Sequence, residues 1–160
     1  AFFRSIEVIA WATAGFGVLL WLADRLGMTV RRIEHMTIAN AAIIGALQAL
    51  AIIPGTSRSG ITMTAARMLG YERGDAARFS MLMSVPVIIA AGAVAGYRIS
   101  TDGASISLVQ AAIAAGLSCA TALIAIAGLM ALIRRIGFGP FALYRIGLGV
   151  ALLVWLYAFR

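Results

Sequence analysis

Ile52-Ile53-Pro54-Gly55-Thr56-Ser57-Arg58-Ser59-Gly60-Ile61-Thr62 lies between two short apolar arms, one leading in from Thr37 to Ile53 and one leading out from Ile61 to Leu69. A helix rises about 1.5 Å per residue and a hydrocarbon core is about 30 Å thick, so arms of these lengths reach only partway across a bilayer. Pro54-Gly55 stops the first arm and Gly70 closes the second. The pattern predicts a re-entrant helical hairpin over residues 37–69 with a polar tip at 54–60, entering and leaving on one side. Non-helical backbone at membrane depth is tolerated only where protein buries it or it lines a watery cavity, so the tip is expected to face a cleft. An arginine and several hydroxyls are costly to hold there without a partner, which points to an anion of about phosphate size.

Composition agrees with that setting. Hydrophobic residues make up 62% of the 160 residues and charged residues only 12%, and the mean hydropathy is +0.99. An integral membrane protein follows. The net charge of +7 comes from 13 arginines and no lysine. They sit mainly at the ends of apolar segments rather than in a run or on one face, which fits loop topology and argues against nucleic acid. Cys119, the only cysteine, rules out an internal disulfide and a cysteine-based metal site, and is expected to be a small packing or lipid-facing residue. The chain opens on Ala1 and runs straight into an apolar segment without a signal-peptide pattern, so a portion of a longer protein is expected.

Four stretches are long enough to span: about 3–23, 76–98, 106–133 and 140–159. The expected fold class is therefore all-α, a polytopic membrane helix bundle forming a single domain over 1–160, with four spanning helices and the hairpin. A re-entrant hairpin puts Arg25, Arg31, Arg32, Arg67, Arg73, Arg78, Arg134 and Arg135 on one side and Arg4, Arg98 and Arg160 on the other. The positive-inside rule makes the first side cytoplasmic. A single helix over 37–69 would split the arginines more evenly and leave Pro54 and Arg58 in mid-span. Small residues such as Gly92 with Gly96, and Gly147 near Gly149, are expected at ordinary helix-packing contacts.

The tip has the means to hold an anion. The arm from Ile61 begins just beyond it, so unsatisfied N–H groups and the positive end of the helix dipole point into the cleft. Arg58 adds a planar fork suited to bidentate phosphate binding. Thr56, Ser57, Ser59 and Thr62 bring hydroxyls, with Thr62 three residues past Ser59 on the same helical face. Gly55 and Gly60 allow close backbone approach. The spacing Gly55…Gly60-Ile61-Thr62 resembles a nucleotide-binding P-loop only superficially, because Ile61 stands at the lysine position and no strand precedes it.

The plain alternative is that these hydroxyls only cap the second arm while Arg58 pairs with a distant carboxylate. Glu72 and Asp75 are expected in a short loop with Arg73 and Arg78, and Asp102 in a loop on the opposite side. Glu7 is expected to pair with Arg4, three residues before it. His35 reads as a surface residue and Gln48 as a weaker candidate for lining the cleft.

The run Gly45 to Thr62, with Arg73-Gly74-Asp75-Ala76-Ala77-Arg78-Phe79-Ser80, Ser84-Val85-Pro86 and Tyr144-Arg145-Ile146-Gly147-Leu148-Gly149, resembles the carboxy-terminal half of the undecaprenyl-diphosphate phosphatase, or bacitracin-resistance, family. The likeness covers nearly the whole chain, and P-G-x-S-R-S-x-x-T in a re-entrant position is its most specific part. The resemblance implies hydrolysis of undecaprenyl diphosphate to the monophosphate and inorganic phosphate, in the bacterial inner membrane, to regenerate a lipid carrier for cell-wall synthesis. It also implies one half of an inverted-repeat architecture whose two hairpins meet near the midplane. On that carry-over Arg58 and Ser57 are the catalytic candidates, and Gly55, Thr56, Ser59, Gly60 and Thr62 bind the diphosphate.

A divalent cation, Mg or Ca, is implied, with its ligands mostly from an amino-terminal half. That half's E/Q-x-x-x-E motif and its loop with Ser and His have no counterpart here, so no metal ligand is assigned in these residues. The expected partners are a prenyl diphosphate and membrane lipid, with a homodimer left open and nucleic acid excluded. The rival reading is a transporter or flippase fragment that binds an anionic substrate without chemistry.

Overall fold

The computed structural model describes residues 6–101 and 108–158, with the side chains of 98–100 and 108 outside that description. Arg4, Asp102 and Arg160, and the side chain of Arg98, therefore lie outside the described residues. Seven α-helices occur among them: α1 (Ile6–Leu26), α2 (Ile38–Gln48), α3 (Arg58–Met68), α4 (Arg73–Leu82), α5 (Ser84–Thr101), α6 (Leu108–Ile136) and α7 (Gly139–Ala158). Four segments are long and apolar enough to cross a membrane, namely Ile6–Leu26, Arg73–Tyr97, Val109–Ile136 and Gly139–Ala158. The chain is an all-α, multi-pass membrane protein.

The second span starts earlier than its hydropathy indicates. Asp75 and Arg78 are not in a loop but in the first two turns of α4. This span is also broken: α4 ends in a turn at Met83 before α5 begins. Pro86 accounts for the break, because it offers no N–H to the carbonyl four residues back and its ring crowds that carbonyl. Ser84 Oγ donates to Met81 O at 2.5 Å across the joint.

The hairpin is built by local signals. Thr37 caps α2, accepting from the Asn40 amide at 3.2 Å. A single 3₁₀ turn, Ala49–Ile52, follows α2, and Gly55 at φ +92° reverses the chain. Gly70 at φ +87° ends α3, where the Gly70 amide bonds Arg67 O and the Tyr71 amide bonds Ala66 O. The incoming and outgoing strands then meet, with Arg31 bridged to Tyr71 and the Glu72 amide bonded to Arg31 O at 2.9 Å. The Tyr71 hydroxyl ties both arms, accepting from Asn40 Nδ2 at 2.7 Å and donating to His35 O. Both arms thus start and end at one place.

α1 gives the hairpin its depth. The tip touches α1 at Thr13, whose hydroxyl donates to Gly55 O at 3.3 Å, while Arg67 near the base reaches Asp24 O and Gly27 O. Thr13 and Asp24 are about 16 Å apart along a helix about 31 Å long, so the tip stands near the middle of α1.

α7 runs antiparallel to α1, with Arg145 against Gly17, Gly149 against Ala14 and Tyr157 against Glu7. The close approach is at Gly17 and Gly149, where any Cβ would press on the facing helix. Gly92, Gly96 and Gly147, by contrast, face open space, so of the glycines expected at packing contacts only Gly149 makes one. Glu7, expected to pair with Arg4, accepts from the Tyr157 hydroxyl at 2.8 Å.

The core sits between α1, α3, α4, α6 and α7, around Leu20, Met63, Ile133 and Phe138, with a second cluster of Ile44, Ala65, Ala66 and Tyr71 inside the hairpin. Residues 85–97 of α5 and the long middle of α6, including Cys119, are exposed. In a bilayer such apolar surface meets lipid or neighbouring helices.

Candidate functional site at the hairpin tip

Three constraints hold the tip in a conformation the chain would not choose alone. Ser57 has φ +65° and ψ +115°, the only positive φ at a non-glycine among the described residues. Such a residue costs about 1–3 kcal/mol and persists only where its surroundings over-determine it. Its own side chain is the first constraint: Ser57 Oγ caps α3, accepting from the Gly60 amide at 3.3 Å. Thr13 is the second, holding Gly55 O from α1.

The third is Arg145 on α7. Its Nη2 donates to Gly55 O at 2.8 Å and to Thr56 O at 2.7 Å. A Cβ on Gly60 would collide with the same guanidinium and with Ser57. Gly60 leaves room for the end of an arginine from another helix, which a Cβ would push aside, whereas Gly55 is required by both its φ and the proximity of Ile9 O. Reading the sequence alone missed Arg145, although a cation in the middle of an apolar final span is itself an expensive feature that calls for a partner.

The residues predicted from sequence divide into two groups. Ser57 is exposed, Arg58 and Ser59 are half-buried, and the two serine hydroxyls stand 3.5 Å apart at the mouth of α3. Arg58 begins α3, so its amide and that of Ser59 precede the intrahelical ladder. Its Nη1 is buried without a hydrogen-bond partner, as is Thr56 Oγ1. No ion pair engages Arg58 among the described residues. The distant carboxylate that would have made Arg58 structural is not found there. Buried polar atoms are normally satisfied, so two orphans beside one helix start leave hydrogen-bonding capacity there, although neither Arg58 nor Thr56 lines the cavity next to the tip.

Thr62 belongs to the other group. It is 1% exposed, and its hydroxyl bonds back to Arg58 O at 3.0 Å and Ser59 O at 3.1 Å and pairs with Ser80 Oγ on α4 at 2.6 Å. The face it shares with Ser59 by helical spacing is turned onto α4, so Thr62 braces the tip instead of lining its mouth. Gln48 is half-buried in the last turn of α2, and His35 lies at the hairpin's base.

Beside the tip is a cavity of about 170 Å³. Ser57, Ser59, Gly60 and Arg145 form its polar wall, and Met63, Ile133 and Phe138 are among the residues of its apolar one. Polar head and apolar body could be held together there. Among the described residues no three of His, Cys, Asp or Glu come close enough to hold a metal ion, so these residues do not fit a divalent cation by themselves.

Residues 1–151 match the family model described as bacitracin resistance protein BacA. The undecaprenyl-diphosphatase of Maricaulis maris is 57% identical over 95% of this chain and 58% of its own length. The undecaprenyl-diphosphatase of Hahella chejuensis is 51% identical over 96% of the chain and 58% of its own length. Undecaprenyl-diphosphatase 1 of Rhodospirillum rubrum is 49% identical over 95% and 54%. The chain thus spans little more than half the length of these relatives. With a match over nearly all its residues and a tip built on the motif that first suggested the likeness, the chain belongs to the bacitracin resistance protein BacA family.

Proposed function

We propose that the hairpin tip is the cationic side of a site that hydrolyses undecaprenyl diphosphate to undecaprenyl phosphate and inorganic phosphate, the rest of the site coming from a longer protein. The observation that carries this reading is the pair of orphaned buried atoms, Arg58 Nη1 and Thr56 Oγ1, at the start of α3. The relatives are named as diphosphatases, which speaks for chemistry over transport.

In the reaction, a water oxygen bonds to the terminal phosphorus while the bond from that phosphorus to the bridging oxygen breaks. The bridging oxygen leaves on the lipid phosphate. Phosphoryl transfer of this kind depends on positioning and on neutralising charge at the phosphoryl oxygens. Arg58 supplies the fixed charge and the fork, and Ser57, Ser59 and the first-turn amides of α3 bond the oxygens. Gly55 and Gly60 let the backbone close in, and Thr56 offers its unspent hydroxyl. Arg145 holds the carbonyls of Gly55 and Thr56 aside, so the tip presents donors and not acceptors. The apolar wall of the adjacent cavity suits the first units of a prenyl chain. The divalent cation implied by the resemblance, and the group that activates water, would come from outside these residues.

The reading includes a location. Arg25, Arg31, Arg32, Arg67, Arg73, Arg78, Arg134 and Arg135 gather at the base of the hairpin, which supports a bacterial inner-membrane protein with that end in the cytoplasm. A tip at mid-span supports the re-entrant reading and an inverted-repeat partner hairpin. The test is phosphate release from a long-chain prenyl diphosphate by the full-length parent protein in detergent with a divalent cation, wild type against Arg58→Ala. Release that disappears in a folded variant is expected. A wild-type protein that binds the lipid but releases no phosphate would overturn the enzyme reading in favour of transport.

A further inference from the structure

The opposite end of the hairpin carries a second, unassigned cleft. It lies between the start of α4 and the end of α6, has a volume of about 380 Å³, and is lined by Arg73, Arg78 and Arg134 over a floor of Met130 and Ile133. Glu72 and Asp75 also line it, but both are engaged elsewhere. Glu72 Oε1 accepts from Arg32 Nε at 3.3 Å, and Asp75 Oδ2 accepts from the Ile33 amide at 2.9 Å.

Of the three arginines, Arg73 is held by Asp24 at 2.6 Å. Arg78 and Arg134 make no ion pair among the described residues. Three arginines (Arg73, Arg78, Arg134) and two carboxylates (Glu72, Asp75) line the cleft, an excess of one positive charge. Two guanidinium forks from two different helices are left to share an oxyanion.

The position of the cleft narrows its ligand. α4 opens and α6 closes a membrane-crossing segment here, so the cleft is at the depth of lipid headgroups, and the exposed apolar flank of α6 continues from it toward the hydrocarbon. Basic pockets between spanning helices on the cytoplasmic side are suited to anionic headgroups. We infer that this cleft is a binding site for a phosphate-bearing anion, either the phosphodiester headgroup of an anionic membrane lipid or free phosphate, separate from the hairpin tip.

The test uses the full-length parent protein in nanodiscs of equimolar phosphatidylglycerol and phosphatidylcholine, released for native mass spectrometry to count retained lipids. Wild type is expected to retain phosphatidylglycerol in preference to phosphatidylcholine. Arg78→Gln with Arg134→Gln should lower that retention on the order of tenfold, and the paired lysine variant should restore most of it. Arg25→Gln with Arg135→Gln removes equal charge from the same end but outside the cleft, and should change nothing. Inorganic phosphate titrated against the complex separates the sources: displacement of the lipid at millimolar concentration assigns the site to free phosphate, and no displacement assigns it to the headgroup. Equal loss in the two glutamine pairs, or no preference for phosphatidylglycerol in wild type with no phosphate binding, overturns the proposal.

Discussion

Arg58 and Arg67 stand at the two ends of the same helix, and their surroundings are opposites. Arg67 is 1% exposed and almost fully spent. Nη1 donates to Tyr71 O at 2.6 Å and Thr29 Oγ1 at 3.4 Å, Nη2 to Asp24 O at 3.2 Å and Gly27 O at 3.0 Å. Its Nε has no hydrogen-bond partner but lies 3.5 Å from the Asp24 carboxylate. It clamps the end of α1 to the turn after α3 by three carbonyls, the kind of acceptor left over where helices end. Arg58 sits where a helix begins and N–H donors are left over, and the tip carbonyls of Gly55 and Thr56 are already taken by Arg145. One helix therefore makes a cation structural at its end and available at its start. Polarity of the backbone, and not the residue type, decides which arginine can serve a ligand.

The contrast is broken most sharply at Arg58. Arg58→Ala in the full-length parent protein should lower phosphate release on the order of 10²-fold or more while leaving the melting temperature nearly unchanged. Arg58→Lys should recover only a small part of the rate, since it keeps the charge and loses the fork. Arg67→Ala should do the reverse. Asp24 keeps Arg73, but the carbonyls of Tyr71, Asp24 and Gly27 lose their donor, at about 1–3 kcal/mol for each buried group left unsatisfied, read as a large fall in melting temperature in detergent with activity lost only as the protein unfolds. An Arg67→Ala protein that melts normally but cannot turn over substrate would erase the distinction between the two ends.

Smaller changes sharpen it. Arg145→Gln should withdraw the brace from Gly55 and Thr56, slowing turnover about tenfold and making the 53–60 segment easier to cleave by protease, in keeping with strain at Ser57 that is no longer held. Thr62→Val leaves Ser80 with a weaker partner, and a loss of about 1–2 kcal/mol in stability is expected with a modest effect on rate. Smallest of all, a cysteine at Gly74, in a Cys119→Ala background, meets no atom within 4 Å and should fold and work normally. Labelling of that cysteine from the cytoplasmic side is expected, and labelling from the outer side would reverse the assigned orientation.

Much of this was legible in the residues. Pro54-Gly55 and Gly70 mark the two ends of the polar turn and its returning arm, and local backbone chemistry is enough to place them. Arg58 stands out because few cations are found within apolar sequence. Arg145 carries the same signal in α7, yet its role depends on which carbonyls a helix 90 residues later brings it to. Arg67 counts correctly toward the arginine-rich end, but its burial is invisible to a charge count. Pro86 announces a weak point in the second span, although hydropathy runs across it without a change.

Sequence by itself determined that the chain is a bundle of apolar helices and where its polar turn falls, since hydropathy and helix stops act locally. Only the tertiary structure decided that Thr62 faces Ser80, that Arg145 braces the tip and that Arg67 is consumed at the base. Those outcomes depend on which helix packs against which, and helical spacing along one chain says nothing of the neighbour that will fill each face.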